Sequence, residues 1–192
     1  MPILFSVLIP AIFERLDDLK ALSTELQRQI TESKRDDVEV ISVVDNCVVT
    51  IGRKREAVLR ASHGQFLAYT DDDDWIAPTY IAEITAAIGA HRDVDVVTFN
   101  SHAYINSDKP AEVIMQLGNP NEQYSSGRFK RAAWHTCAWR AELAKQFSFP
   151  DSSYGEDWAW AKQCNEAAKT EHHLDSFLHI YRFSSDKTRA KA

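Results

Sequence analysis

Cysteine is scarce in this 192-residue chain, with Cys47, Cys137 and Cys164 the only three. An odd number without a Cys-x-x-Cys spacing indicates neither a disulfide framework nor a zinc knuckle, so the thiols read as reduced and mostly buried. Long apolar runs are absent too. The longest, Val7 to Phe13, is far too short for a bilayer and contains Pro10. No basic stretch precedes the first apolar residues and no small-residue cleavage site follows them, which predicts a cytoplasmic protein without a membrane partner. Positive charge is not in excess either. The 22 Lys and Arg against 28 Asp and Glu leave a formal charge of −6, which excludes a globally basic nucleic-acid coat. Internal repeats and low-complexity tracts are missing. What is present is 44% apolar residues, enough for the core of one domain spanning 1–192 and too many for a disordered acidic tail.

The apolar pattern predicts alternating strands and helices. A buried strand over Phe5 to Ile9 is closed by Pro10, and Leu16, Leu19, Leu22, Leu26 and Ile30 line one face of a helix. A strand from Val38 to Val44 ends at Asp45, a shorter helix follows around Ala57 to Ala61, and a strand from Gln65 to Thr70 comes next. Pro78 suits the first turn of another helix, and Val94 to Phe99 supplies a fourth strand. That order implies an α/β fold: a doubly wound, mostly parallel sheet with helices on both faces. After Asn100 the pattern becomes irregular, with a hairpin across 107–110, a polar loop over 118–127, helices near 140–147 and 155–168, and a last strand over 174–183. The second half reads as a small irregular extension of the same sheet.

The most informative feature is Asp71-Asp72-Asp73-Asp74, directly after a strand and before Trp75. In a parallel sheet, ligands bind beyond the carboxyl ends of the strands, and Asp45 and Asp71 both lie there. Four adjacent carboxylates repel, and Mg²⁺ or Mn²⁺ would keep them ionised together. The competing reading is a solvated, charged turn that caps the next helix. Gly52-Arg53-Lys54-Arg55 opens the preceding helix, where cations and free amides can meet an anion such as a diphosphate. Gly155-Glu156-Asp157-Trp158 opens a later one, placing carboxylates in a first turn beside flat aromatic walls; ordinary helix-start chemistry explains Glu156 equally well.

These motifs together resemble a family 2 glycosyltransferase of the GT-A fold. The resemblance is carried by the opening strand to Pro10, Asp45, Gly52-x-Lys54-Arg55, the strand into Asp71-Asp72-Asp73-Asp74-Trp75, Pro78, Gly155-Glu156-Asp157-Trp158 and Tyr181-Arg182. It implies an inverting transfer from a nucleoside-diphosphate sugar, a UDP-sugar foremost, to an acceptor hydroxyl. Asp157 would be the general base. Pro10, Glu14, Arg15, Asp45, Lys54, Arg55, Asp71, Asp72 and Arg182 would hold the donor, with Lys187 a further candidate at the diphosphate. Trp134, His135, Glu156 and Trp158 would line the acceptor site. Asp73, Asp71 and His179 would hold the Mn²⁺ or Mg²⁺. Residues 1–100 would form the donor half and 101–192 the acceptor half. The chain departs from the family pattern around the nucleoside, with Ala11-Ile12-Phe13 after the first strand and Asp45-Asn46-Cys47-Val48 after the second.

Two other classes compete. A nucleotidyltransferase would share the sheet and acidic site, but it usually opens with a glycine-rich loop, and 10–15 contain no glycine. A non-catalytic nucleotide- or sugar-binding module would not need Asp157. Arg128 to Arg140 carries four positive charges, no acid and two tryptophans, which allows a phosphate-bearing acceptor, a nucleic-acid strand included. The alternative there is a solvated basic turn with Trp134 and Trp139 in the core.

Overall fold

The computed structural model describes residues 2–106 and 109–183. Its first part alternates as expected: β1 (Phe5–Ile12), α1 (Leu16–Glu32), β2 (Val38–Asp45), α2 (Ile51–Ala61), β3 (Phe66–Tyr69), a two-residue β4 (Trp75–Ile76), α3 (Tyr80–Ala90) and β5 (Val96–Ile105). There follow β6 (Ala111–Met115), β7 (Glu122–Ser125), β8 (Arg128–Arg131), β9 (Ala138–Arg140), α4 (Ala141–Ala144), α5 (Glu156–Ala167) and β10 (Glu171–Phe183).

One mixed sheet takes all the strands, in the order β2-β1-β3-β9-β5-β6-β8-β7, with β10 along β5. β2, β1 and β3 are parallel, and the chain leaves β1 first to one side and then to the other. That reversal makes the ends of β1 and β3 the crevice where such sheets bind ligands. It also puts α1 and α2 on opposite faces, because each crossover is right-handed. α1 packs beside α3, and α2 beside α5.

Several details differ from the sequence pattern. β1 runs through Pro10 to Ile12, because β3 pairs with it only as far as Leu8 and the missing proline N–H therefore breaks no ladder there. Pro78 lies in the turn before α3 rather than in its first turn. The polar loop contains the exposed edge strand β7, and part of the predicted hairpin turn, Ser107 and Asp108, lies outside the described residues. The second half is more than a lateral extension. Its β9 enters the middle of the sheet, antiparallel to both β3 and β5, and β10 pairs with β4 through His179↔Ile76 and Ile180↔Trp75.

The core explains why β9 goes there. Trp139 on β9 and Trp160 on α5 are fully buried, packed edge to face at 6.0 Å, and Phe149 stacks on Trp160 at 4.9 Å. Tyr69, at the end of β3, meets both Phe149 and Trp160 edge-on. This aromatic block fixes the start of α5 against the end of β3.

The start of α2 is clamped to the segment before α5. Gly52 N–H donates to the Ser152 carbonyl at 3.0 Å, Thr50 Oγ1 donates to Asp151 Oδ1 at 2.7 Å, and Arg53 pairs with Asp151 at 2.8 Å. A Cβ on Gly52 would stand 1.9 Å from the Pro150 carbonyl oxygen, a contact that only backbone movement can relieve. Gly52→Ala is therefore expected to cost about 2–3 kcal/mol through overpacking and to lower the melting temperature by roughly 5–10 °C. Thermal unfolding followed by circular dichroism checks this; an unchanged melting temperature contradicts the close approach.

Candidate functional site

The four aspartates after β3 do not point at one centre; Asp71 and Asp74 each turn to a separate partner, and Asp72 and Asp73 share Arg15. Asp71 faces Arg55, whose Nη2 lies 2.9 and 3.0 Å from its two oxygens. Asp72 accepts the Ile12 N–H at 2.9 Å and Arg15 Nη1 at 2.8 Å, which ties the end of β3 to the end of β1. Asp73 meets the same Arg15 nitrogen at 2.5 Å. Asp74 is buried, contacting His179 Nε2 at 3.0 Å and accepting the Arg182 N–H at 3.1 Å. Protein cations and backbone donors thus offset part of the mutual repulsion.

This changes the metal expectation. Among the described residues, no three His, Cys, Asp or Glu side chains converge to hold a metal ion, so Asp71, Asp73 and His179 are not one ligand set. His179 is committed at both ring nitrogens, to Asp74 and to Ser101 Oγ at 2.9 Å. Asp71 is engaged by Arg55. Asp73 remains, its side chain 43% exposed. Burial pushes its carboxyl up to about 7, with Asp71, Asp74 and Asp72 adding to the rise and Arg15 opposing it. One such oxygen donor fits a hard cation completed by substrate phosphates and water, and does not fit an all-protein cage. Asp72, Asp73, Asp74, Trp75 and Arg182 line a pocket of about 170 Å³ with Asp18 and Ala21 from α1. The Arg182 guanidinium lies over the Trp75 ring, 6.0 Å from its centre.

Lys54 and Arg55 are not free phosphate clamps. Each is only 3% exposed, because α2 turns them inward. Lys54 Nζ donates to Asp45 Oδ1 at 2.7 Å and to the Ala11 carbonyl at 3.0 Å. The other Asp45 oxygen accepts the N–H groups of Val48 and Val49 at 2.7 and 2.9 Å. Asp45 is therefore occupied at both oxygens and shapes the loop after β2. Pro10 is buried inside β1, and Glu14 lies exposed in the helical turn over 13–15. Phe13 and Val48, in the two stretches that depart from the family pattern, stand 60% and 82% exposed at the ends of β1 and β2.

A second group forms around the start of α5. Gly155 has φ 73°, a left-handed conformation that favours glycine, and from it Glu156 and Asp157 diverge. Glu156 points inward, 3.4 Å from Arg55 Nε, and so is a buried ion-pair partner rather than an acceptor contact. Asp157 points outward with its side chain 27% exposed. Its Oδ2 accepts Trp134 Nε1 at 3.3 Å and lies 3.8 Å from His135 Nδ1, while its Oδ1 accepts the Trp158 N–H at 2.7 Å. Trp134 and Trp158 stack at 4.9 Å, 11° from parallel. His135 is buried; burial and the Arg55 charge push its pKa well down, keeping the ring neutral. Its Nδ1 and the Nη1 of Arg55 have no hydrogen-bond partner among the described residues. Lys187 lies outside the described residues.

No family model matches the chain. It is 23% identical over 142 residues to "Putative glycosyltransferase EpsH" of Bacillus subtilis (strain 168), across 69% of this chain and 41% of that protein. Among solved structures it is similar to S. aureus TarS 1–349 in complex with UDP-GlcNAc, with a TM-score of 0.66 and 18% identity over 95% of this chain and 59% of that one. The complex of the same protein with UDP gives 0.65 and 19%, over 95% and 61%. The chain therefore spans between about two fifths and three fifths of these relatives. The structural likeness establishes the fold: an α/β architecture with a mostly parallel central sheet. Among the described residues no helix is long and apolar enough to cross a membrane.

The Asp45–Lys54 pair carries a pH signature. Burial raises the Asp45 pKa, but the hydrogen bonds from Lys54, Val49 and Val48 outweigh it and hold the carboxyl at about 2, below its ordinary 3.8. A depressed carboxylate stabilises the fold fully above about pH 4, and that contribution fades as pH falls towards 2. Asp45→Asn should cost about 2 kcal/mol at pH 7, since it leaves a buried ammonium short of its counter-charge. Urea unfolding of both proteins should show this gap shrinking as pH drops from 5 to 3. A gap that stays constant would rule out an ionised Asp45 as its source.

Proposed function

We propose that this chain is the catalytic domain of an inverting, metal-assisted glycosyltransferase that uses a nucleoside-diphosphate sugar, a UDP-sugar foremost. The observation that carries this reading is Asp157: a partly open carboxylate, oriented by Trp134 and its own helix start, beside the crevice that β1 and β3 open. The EpsH name and the nucleotides bound to TarS support the same class and make UDP the first nucleotide to test.

In this reading the nucleoside lies at the ends of β1 and β2, against the loop that Asp45 organises and the apolar faces of Phe13 and Val48. The diphosphate takes the pocket of Asp73 and Arg182. Asp73 would hold Mn²⁺ or Mg²⁺, which when bound would help neutralise the charge that grows on the leaving group. Arg182 adds a protein cation on the same side. Asp157 takes the proton of the acceptor hydroxyl as its oxygen attacks the anomeric carbon. The new carbon–oxygen bond forms as the bond to the diphosphate oxygen breaks, and the electron pair leaves with the nucleoside diphosphate. One displacement inverts the anomeric centre, with no covalent enzyme intermediate. Arg55, buried between Asp71 and Glu156, fixes the end of β3 relative to the start of α5 and so sets the distance between leaving-group and base sides.

The test separates binding from chemistry. UDP with Mn²⁺ should raise the melting temperature of the wild type, since a ligand selective for the native state stabilises it. Asp73→Asn should abolish the part of that shift that depends on Mn²⁺. Asp157→Asn should retain the shift yet lower UDP-sugar turnover by about 10²-fold or more. Absence of any nucleotide-induced shift, or full turnover in Asp157→Asn, overturns the reading.

A further inference from the structure

The basic stretch 128–140 does not survive as one surface once folded. Arg128 pairs with Glu112 at 2.8 Å. Arg140 reaches back to the Val94 and Arg92 carbonyls and lies over the Phe66 ring, and Trp139 is in the core. The segment therefore presents no continuous basic track. Two cations remain, and among the described residues neither Lys130 nor Arg131 has a carboxylate partner. They differ in placement. Adjacent residues of a strand point to opposite faces: Lys130 lies over Tyr124 on the sheet edge, 5.2 Å from the ring centre, whereas Arg131 lies 5.7 Å from the centre of the Trp134 ring. Trp134 in turn donates to Asp157 and stacks on Trp158.

Arg131, Trp134 and Asp157 thus form a continuous line in which one indole separates an unpaired cation from the proposed base. We propose that the acceptor is a hydroxylated, sugar-like molecule bearing an anionic group, phosphate ester or carboxylate. Its anion pairs with Arg131, its ring or chain lies along Trp134, and its hydroxyl faces Asp157. Guanidinium and carboxylate or phosphate match in a two-point hydrogen-bonded geometry that an ammonium does not reproduce. Trp158 stacks on Trp134 and Arg131 lies over its ring, so the acceptor follows the indole edge between Arg131 and Asp157. This inference rests on the glycosyltransferase reading above and narrows it to an acceptor class.

The test is equilibrium binding to the UDP- and Mn²⁺-saturated protein, followed by ligand-observed NMR and by tryptophan fluorescence. The probes are glucose 6-phosphate, glucuronate, glucose and a short single-stranded oligonucleotide. At least one anionic sugar should bind about tenfold or more tighter than glucose. The tighter of the two distinguishes a phosphate ester from an acid sugar as the natural group. Arg131→Gln should erase that preference, Arg131→Lys should restore only part of it, and Lys130→Gln should leave it in place. Arg131→Gln should keep the melting shift induced by UDP and Mn²⁺, which an unfolded variant loses. Equal or undetectable binding of the three sugars, an anionic preference that persists in Arg131→Gln, or binding of the oligonucleotide alone overturns the proposal. UDP-sugar hydrolysis by the same wild-type preparation keeps the two readings apart. Hydrolysis without an anionic preference defeats only the acceptor assignment, whereas no hydrolysis and no nucleotide binding defeats the enzyme reading itself.

Discussion

The buried guanidinium of Arg55 is the constraint from which the site follows. A fully buried cation costs several kcal/mol of desolvation unless carboxylates meet it. Two do, from elements distant in sequence: Asp71 from the end of β3 and Glu156 from the first turn of α5. Tyr69 completes the enclosure, with its ring 5.5 Å from the guanidinium carbon and its hydroxyl donating to the Arg55 carbonyl. The charge is shared unequally. Burial works against both acids, but Asp71 is nonetheless held below the usual carboxylate range by Arg55, whereas Glu156 stays above it. Asp71 is the principal counter-ion. Glu156 anchors α5 in the orientation that sends its neighbour Asp157 outward. A helix start has room for only one of two adjacent acids on the inner side, so the inward Glu156 is part of why Asp157 is available.

The alternation of strand and helix up to β5 was legible because each element is amphipathic or wholly apolar at the right period, as the α1 stripe and the buried run of β1 show. The second half was harder for physical reasons. β4 is two residues long and exists only because β10 pairs with it, and β9 is three residues long and is held by aromatic packing from α5. Neither carries a period that a sequence pattern can display. Single-residue chemistry divided in the same way. The positions of Asp71 to Asp74 and of Asp157 were visible as motifs at strand and helix ends. Their partners were not, because Arg15, Trp134 and His179 reach them across distances that only the sheet order closes. Asp74 illustrates the limit. The acidic run gave it no role of its own, and it is a buried anchor for β10.

That division of labour changes what an acidic run after a strand signifies. Each of the four carboxylates solves a separate problem: Asp71 neutralises Arg55, Asp72 joins β1 to β3, Asp74 holds β10 through His179 and the Arg182 backbone, and Asp73 keeps its side chain partly open to the pocket. The anchors at Asp71, Asp72 and Asp74 flank Asp73 and hold it in place. A carboxylate held this way loses little further freedom when it meets a cation or a diphosphate-bound ion, and such preorganisation is worth more than the bare charge. The same logic governs the other end of the crevice, where Trp134 and the Trp158 N–H hold Asp157 from two sides. The two carboxylates proposed to act are the more exposed members of two acidic pairs, Asp73 beside Asp72 and Asp157 beside Glu156. In each pair the buried acid secures the geometry that its exposed neighbour uses.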